Sequence, residues 1–443
     1  MNQVLRWSLL VALSGFLFGF DTVVISGANE PIKELWGTSG WFHGTFIMSM
    51  ALWGTVIGAL FGGRPSDAWG RKRTLWWIGL LFFISAVGSA LAWDPYAFSF
   101  FRFIGGLAVG ASSVTAPTYI SEISNAKNRG RFVALYQFML VFGILVAYIS
   151  NYLLDGIGGD LDWRWMMGVE AIPALAFTIW LRQVPESPRW LALFKKDTNE
   201  AKAILSEIAD TKEEADDLLI DILKAEKQSG KGTVLFSKKY KKPLMLAFLL
   251  AMFNQLSGIN FILYYAPEIL ENAGFGGSES LLSTVAIGVT NLLFTIVGMS
   301  LIDLAGRKQL MIIGSIGYIL SLAMVSYGFY SGASPLFNLT FILTFIASHA
   351  IGQGAVIWVF IAEIFPNNVR ANGQAWGSGT HWVFAALITL FGAVVNDAFP
   401  SGWGIFAFFS GFMVLQLLFV IFLMPETKGR SLEDIEKEMV GED

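Results

Sequence analysis

The sequence predicts an all-α membrane protein, with twelve transmembrane helices in two six-helix halves. Three observations carry that prediction. With 54% hydrophobic and only 14% charged residues over 443 positions, the chain is too apolar for a water-soluble globule. It contains twelve runs of about 20 residues that are apolar enough to cross a bilayer. Two strings, Asp67-Ala68-Trp69-Gly70-Arg71-Lys72 and Asp303-Leu304-Ala305-Gly306-Arg307-Lys308, recur 236 residues apart, each wedged between such runs.

The predicted spans lie near 7–28, 44–63, 74–93, 97–120, 132–154, 164–184, 244–267, 280–302, 310–330, 337–362, 374–396 and 403–424. Segment 1–28 resembles a secretory signal in having Arg6 ahead of an apolar stretch. Its apolar run continues past Asp21 for a full span, longer than the core of a signal, so it is read as the first helix. Glycines such as Gly105, Gly106 and Gly110 permit close helix contact where lipid offers no hydrophobic drive.

Orientation follows from the basic residues. Loops 64–73, 121–131, 185–243, 303–309 and 363–373 and the tail hold most of the Lys and Arg, while the alternate loops hold almost none beyond Lys33 and Arg164. Both termini are therefore expected in the cytoplasm. Trp36, Trp41, Trp93, Trp163 and Trp403 fall near the expected outer ends, where indoles favour the headgroup layer.

The segment 185–243 is the one long charged interruption. It separates an N-terminal half, 1–184, from a C-terminal half, 244–424, which ends in a short tail, 425–443. Ile204, Leu205, Ile208, Leu218, Leu219, Ile222 and Leu223 recur there at helical spacing among Lys and Glu, as in short amphipathic helices. Gly230-Lys231-Gly232-Thr233 is not a phosphate loop, because it lacks the upstream Gly and has Gly where Ser or Thr is required. The absence of cysteine excludes disulfides and thiolate metal sites, and His43, His349 and His381 are too scattered for a metal constellation. No metal, cofactor or nucleic acid is expected. No arrangement of nucleophile, base and oxyanion donors suggests an enzyme.

The duplication extends beyond the first pair. Glu122 and Arg129 are answered by Glu363 and Arg370, both 241 residues on, and Pro185-Glu186-Ser187 by Pro425-Glu426-Thr427, 240 on. Asp67, Gly70, Arg71, Lys72, Glu122, Arg129 and Arg131, with Asp303, Gly306, Arg307, Lys308, Glu363 and Arg370, then read as two charged clusters that gate the cytoplasmic side. Ion pairs between spans would hold it shut and exchange for water on opening. The alternative is that the cations merely obey the positive-inside rule.

Three ionisable residues fall inside spans: Asp21 in the first, Arg102 in the fourth and Glu170 in the sixth. Each lies roughly 8 to 11 Å from the outer boundary at about 1.5 Å of rise per residue. Because one ionised residue at a helix centre costs about 2.5 to 3.5 kcal/mol, a shared cluster is the economical arrangement. Arg102 keeps its proton while Asp21 can exchange one, which makes Asp21 a proton switch and Glu170 a weaker partner. A static ion pair that fixes helix packing is the alternative.

Several strings resemble the sugar porter branch of the major facilitator superfamily. They are Gly19-Phe20-Asp21-Thr22, Gly63 through Lys72, Pro185-Glu186-Ser187-Pro188-Arg189, Gln255-Leu256-Ser257-Gly258-Ile259-Asn260, Tyr264-Tyr265-Ala266-Pro267 and Pro425 through Gly429, in family order across all twelve spans. The resemblance implies two halves around a central cavity, carrying a monosaccharide by alternating access. It is nearest to the bacterial proton-coupled xylose and hexose symporters, in which the position of Asp21 carries an acid where facilitative animal carriers have an amide.

A sugar needs amides that donate and accept together with an aromatic face. Gln137, Asn254, Gln255, Asn260 and Asn291 are amides placed in apolar spans, and Gly258, Gly352 and Gly354 loosen the backbone beside them. Trp358 follows Gly354 by about one helical turn. The resemblance makes Gln137, Asn254, Gln255, Asn260, Asn291, Gly354 and Trp358 the sugar-binding positions, with Tyr264 lining the pocket near the outer gate. Three residues depart from it: Asn254 and His381 stand where relatives carry Gln, and Gln353 where they carry a bulkier or apolar residue. His381 is expected to bond a sugar hydroxyl rather than relay protons, and His349 to be a packed polar residue. The expectation is therefore a monomeric, twelve-span proton–pentose or proton–hexose importer of a prokaryotic inner membrane. An uncoupled facilitator and a transporter-like sugar receptor are the rivals.

Overall fold

A computed structural model describes residues 3–125, 128–209, 211–228, 235–366, 369–398, 402–430 and 432–440. The described residues are almost wholly helical, with no strand among them. Ten helices are long and apolar enough to cross a membrane: Gln3–Trp36, Gly40–Phe61, Arg71–Ala90, Pro95–Glu122, Arg129–Leu154, Lys238–Tyr264, Gly277–Ala305, Arg307–Ser331, Pro335–Ile364 and Trp403–Phe422. These are spans 1–5, 7–10 and 12.

The sixth and eleventh predicted spans are also helical. Span 6 is interrupted between Asp162–Gly168 and Ala171–Trp180, with Glu170 at the junction. Span 11, Arg370–Ala398, is one unbroken helix whose first half carries Asn372, Gln374, Ser378, Thr380 and His381. Twelve spans therefore stand where the hydrophobic runs predict them.

Boundaries differ where polar residues cap an apolar run. Span 1 has 34 residues, about 51 Å at 1.5 Å per residue, and outlasts a hydrocarbon core of about 30 Å. Its last turns carry Asn29, Glu30 and Lys33. Span 2 opens through a π-turn over His43–Met48. Span 7 is broken at Gly258 and again at Tyr265, leaving a separate helix Ala266–Asn272. Span 10 is broken at Gly352.

The interruption at 185–243 contains helices Thr198–Ile208 and Lys212–Gln228, and Ile204, Leu205 and Ile208 pack inward as their spacing predicts. The Gly230–Thr233 fragment lies outside the described residues.

Two compact units divide the chain. One comprises 1–22, 53–144 and 167–232, the other 23–52, 145–166 and 233–443. In the first, Gly110 of span 4 lies so close to span 2 that a Cβ on it would stand 2.3 Å from the Thr55 carbonyl oxygen. Packing that tight needs the missing side chain. The second unit contains spans 7 to 12 together with the last part of span 1, the start of span 2, the last part of span 5, the start of span 6 and the segment joining these two.

Candidate functional site

In the first unit, Asp21, Arg102 and Glu170 are brought together, each 1% exposed. The Arg102 guanidinium donates to Asp21 Oδ1 at 2.5 Å and to the Asp21 backbone oxygen at 3.0 Å. Glu170 lies within electrostatic reach of both, and neither of its carboxyl oxygens accepts a hydrogen bond from a described residue. A guanidinium is always charged, so Asp21 and Glu170 compete as its counterion and one carboxyl can take up a proton without stranding the cation. Composition did not flag two further contributors. A Cβ on Gly105 would lie 2.4 Å from Ser85 Oγ and 3.2 Å from Asp21 Oδ1, so a side chain there would displace the Ser85 hydroxyl and crowd the carboxylate, and Ser85 Oγ is buried with no partner among the described residues.

The charged repeats fold into two matching clusters, one in each unit. In the first, Arg71 makes a bidentate pair with Glu122 at 3.0 and 3.1 Å and bonds Asp67 at 3.0 Å, while Ser187 Oγ donates to Glu122 at 2.6 Å. In the second, Arg307 pairs with Glu363 at 2.7 and 3.2 Å and with Asp303 at 3.0 Å, and Thr427 Oγ1 donates to Glu363 at 2.6 Å. Glu186 accepts from the backbone N–H of Lys72 and Ser187, and Glu426 from those of Arg307, Lys308, Thr427 and Lys428.

Gly70 and Gly306 make this possible. Both have φ near +95°, at +97° and +95°, and a Cβ would stand 2.3 Å from Glu186 Oε2 or 2.6 Å from Glu426 Oε2. Each cluster ties together three connections within its own half. Lys72 and Lys308 take part through their backbone N–H, and their ammonium groups donate to the Arg182 and Ile421 carbonyl oxygens.

Burial holds the Glu186 carboxyl above its ordinary range despite backbone donors from Lys72, Ser187 and Arg71. Burial also acts upward on Glu426, but its four backbone donors outweigh it and set that carboxyl below its ordinary value. Arg129 and Arg131 are exposed and stand outside the first cluster. Arg370 donates to the Phe365 carbonyl oxygen.

In the second unit the break of span 7 places Asn254, Gln255, Asn260 and Tyr264 among buried residues, with Asn291 buried on span 8. Gln255 Nε2 donates to Asn254 Oδ1 at 2.9 Å and to the His381 ring, 3.1 Å from Nε2. His381 therefore presents a lone pair to Gln255. Its ring packs 5.0 Å from that of Trp358 and 4.7 Å from that of Trp382. Gln255 Oε1 is buried with no partner among the described residues. An open acceptor on Gln255, bonded through its amide nitrogen to a histidine that lies against two indoles, supplies the polar and aromatic groups a hydroxylated ring requires.

Asn291 Oδ1 accepts from Thr295 at 3.4 Å, and Gly354 backs onto His349, whose carbonyl oxygen would be 3.1 Å from a Cβ. Gln137 is half-buried on span 5 in the first unit. Gln353 turns elsewhere: its amide donates to Gln416, which donates in turn to Ser315 at 2.8 Å. His349 Nδ1 lies 2.6 Å from the Tyr318 hydroxyl.

The family model described as "Sugar (and other) transporter" matches residues 7–439. The chain belongs to this sugar transporter family. It is 38% identical to the arabinose-proton symporter of Bacillus subtilis over 99% of this chain and 95% of that one. It is 34% identical to the D-xylose-proton symporter of Escherichia coli over 98% and 95%. Among solved structures, the partially occluded inward open conformation of the xylose transporter XylE from E. coli superposes with a TM-score of 0.87 at 31% identity, covering 97% of this chain and 100% of that one. The same transporter bound to 6-bromo-6-deoxy-D-glucose superposes at 0.81. The family consists of membrane carriers rather than enzymes, and its fold has the twelve helices that the hydrophobic runs predict.

Proposed function

We propose that the chain is a proton-coupled monosaccharide symporter that works by alternating access, with a pentose or hexose as its cargo. The observation that carries the reading is the buried Asp21–Arg102 pair with Glu170 beside it. An acid that neutralises a permanent cation inside a span is costly to leave unpaired. Proton uptake by Asp21 releases the guanidinium, and reionisation on the other side restores the pair. The resemblance to symporters of arabinose and xylose supports coupling over passive passage.

The sugar lies against Trp358, with Gln255, Asn254, Asn260, Asn291, Gln137 and His381 as its hydrogen-bonding groups, Gly354 giving it room and Tyr264 at the outer gate. The halves 1–184 and 244–424 are the moving bodies, joined by the linker 185–243. The Asp67–Lys72 and Asp303–Lys308 clusters face the cytoplasm with both termini and the tail, and they gate that side, their ion pairs holding it shut and exchanging for water on opening. The carrier acts as a monomer in a bacterial inner membrane.

The deciding experiment is sugar uptake into proteoliposomes under an imposed proton gradient. Accumulation of xylose, arabinose or glucose that collapses with a protonophore is expected. Accumulation that persists in Asp21→Asn would refute the coupling role.

A further inference from the structure

At the end of the spans opposite the charged repeats, the second unit contains a hydrogen-bonded chain that no sugar or proton role accounts for. Thr38 Oγ1 lies 2.9 Å from His43 Nδ1, His43 Nε2 lies 2.6 Å from Asn29 Oδ1, and Asn29 Nδ2 donates to Glu268 Oε2 at 2.9 Å. His43 and Asn29 are 1% and 3% exposed.

The direction of this chain is dictated by its last member. A carboxylate only accepts, so the Asn29 amide nitrogen must face Glu268 and its oxygen must face His43. The imidazole therefore carries its hydrogen on Nε2, and the Thr38 hydroxyl donates to Nδ1. Donors run one way, from Thr38 through His43 and Asn29 to a carboxylate. Such an ordered series is stronger than its separate links.

The elements it joins are the last turns of span 1, the π-turn that opens span 2 and the short helix Ala266–Asn272 beyond the Tyr265 break of span 7. That helix continues from the Asn260–Tyr264 stretch. Two further bonds join the same halves of the sequence within this unit, Tyr148 to the Leu263 carbonyl oxygen at 2.8 Å and Ser278 to Asp155 at 2.5 Å.

An opposing force is built in beside it. Asn29 and Glu268 lie on the wall of a cavity of about 270 Å³ shared with Glu30, Asp155 and Glu271. Burial raises Glu271 above its ordinary range, and the charges of Glu30 and Asp155 add to the rise. Like charges push these segments apart while the polar chain holds them together.

We propose that Thr38, His43, Asn29 and Glu268 form a polar latch that holds this end of the carrier shut, and that its breakage is a step of the transport cycle. The latch rests on the alternating-access reading, with this end taken as the outer one. It acts by positioning span 7 against span 1 and touches no sugar.

The chain has no cysteine, so spin labels placed only at Leu35→Cys and Leu282→Cys, both exposed, report the opening by pulsed distance measurement in nanodiscs without sugar or gradient. In Asn29→Ala, Glu268→Leu and His43→Phe, each of which removes at least one bond of the chain, the open-to-closed ratio should rise at least about fivefold, the effect of one net hydrogen bond. His43→Gln, whose amide N–H replaces the Nε2 donor, should restore the closed state. The latch is overturned if the three disruptive variants keep the wild-type distances while melting as wild type does, or if His43→Gln opens as far as His43→Phe. Because no sugar is present, a shift in distances without uptake of any monosaccharide would refute the cargo assignment and leave the latch standing.

Discussion

At the scale of single residues, the two related glutamates Glu186 and Glu426 differ in a way that pH can expose. Glu186 is raised by burial, so the folded state holds its proton more tightly than the unfolded chain and its contribution falls as pH rises through the window above its ordinary value. Glu426 is lowered by its four backbone donors, so its contribution is present above its ordinary value and lost as pH falls below it. Glu426→Gln should therefore cost more thermal stability near pH 7 than near pH 4, whereas Glu186→Gln should cost least near neutral pH. Melting curves of the purified variants across that range check the sign. The pH dependences would be the same for both variants if backbone donation were not the controlling difference.

Individual ionisable residues were the most legible part of the sequence. Asp21, Arg102 and Glu170 stand out because each interrupts an apolar run, and lipid forces such groups together. Gln353 was not legible, because the break at Gly352 (φ −83°, ψ −102°) resets the helical phase and turns the next side chain toward Gln416. Arg129 and Arg370 were grouped with the gating clusters because they repeat at the same offset as Glu122 and Glu363, and Arg131 by its place in the same loop; the cations seen paired with those glutamates are Arg71 and Arg307. Asn29, His43 and Glu268 left no sequence signal, since the bond from Asn29 to Glu268 spans 239 positions.

At the scale of elements, the breaks in spans 7 and 10 matter more than the spans themselves. Gly258 has φ +84°, and a Cβ there would lie 2.4 Å from the Phe409 ring. Gly258→Ala should destabilise the protein by about 1 to 3 kcal/mol through backbone strain alone, with further cost from displacing Phe409. It should also lower sugar affinity, because Asn254, Gln255 and Asn260 flank the break. Thermal unfolding with and without ligand separates the two effects, and unchanged melting would mean that the turn tolerates a side chain. Hydrophobic runs located all twelve spans, although among the described residues only ten are helices long and apolar enough to cross a membrane by themselves, span 6 being interrupted and span 11 polar in its first half. The breaks were foreshadowed by glycine but not their geometry, since glycine also serves close packing, as at Gly110.

At the scale of the whole molecule, the repeated clusters describe a protein built twice. Arg71 with Glu122 and Arg307 with Glu363 use the same bidentate geometry, the same hydroxyl from Ser187 or Thr427, and the same left-handed glycine before the arginine. Removing one partner of a fully buried pair costs about 3 to 5 kcal/mol, and here less, because Asp67 and Asp303 stay paired with the arginines from more exposed positions. Glu122→Gln, with side chains 8% exposed on both partners, should therefore harm folding more than Glu363→Gln, whose carboxylate is 20% exposed. Comparing the yield of folded protein from membranes for the two variants tests this, and equal yields would mean that burial does not set the cost.

The Gln255 side chain has one more consequence. Both of its amide hydrogens are committed to Asn254 and His381, so what it can offer a guest is a bare oxygen. Such a group distinguishes a hydroxyl from a fluorine of nearly equal size, because only the hydroxyl brings a proton. Of a series of fluorinated monosaccharides, the one substituted at the carbon facing Gln255 should compete as poorly as the matching deoxy compound, while its isomers compete normally.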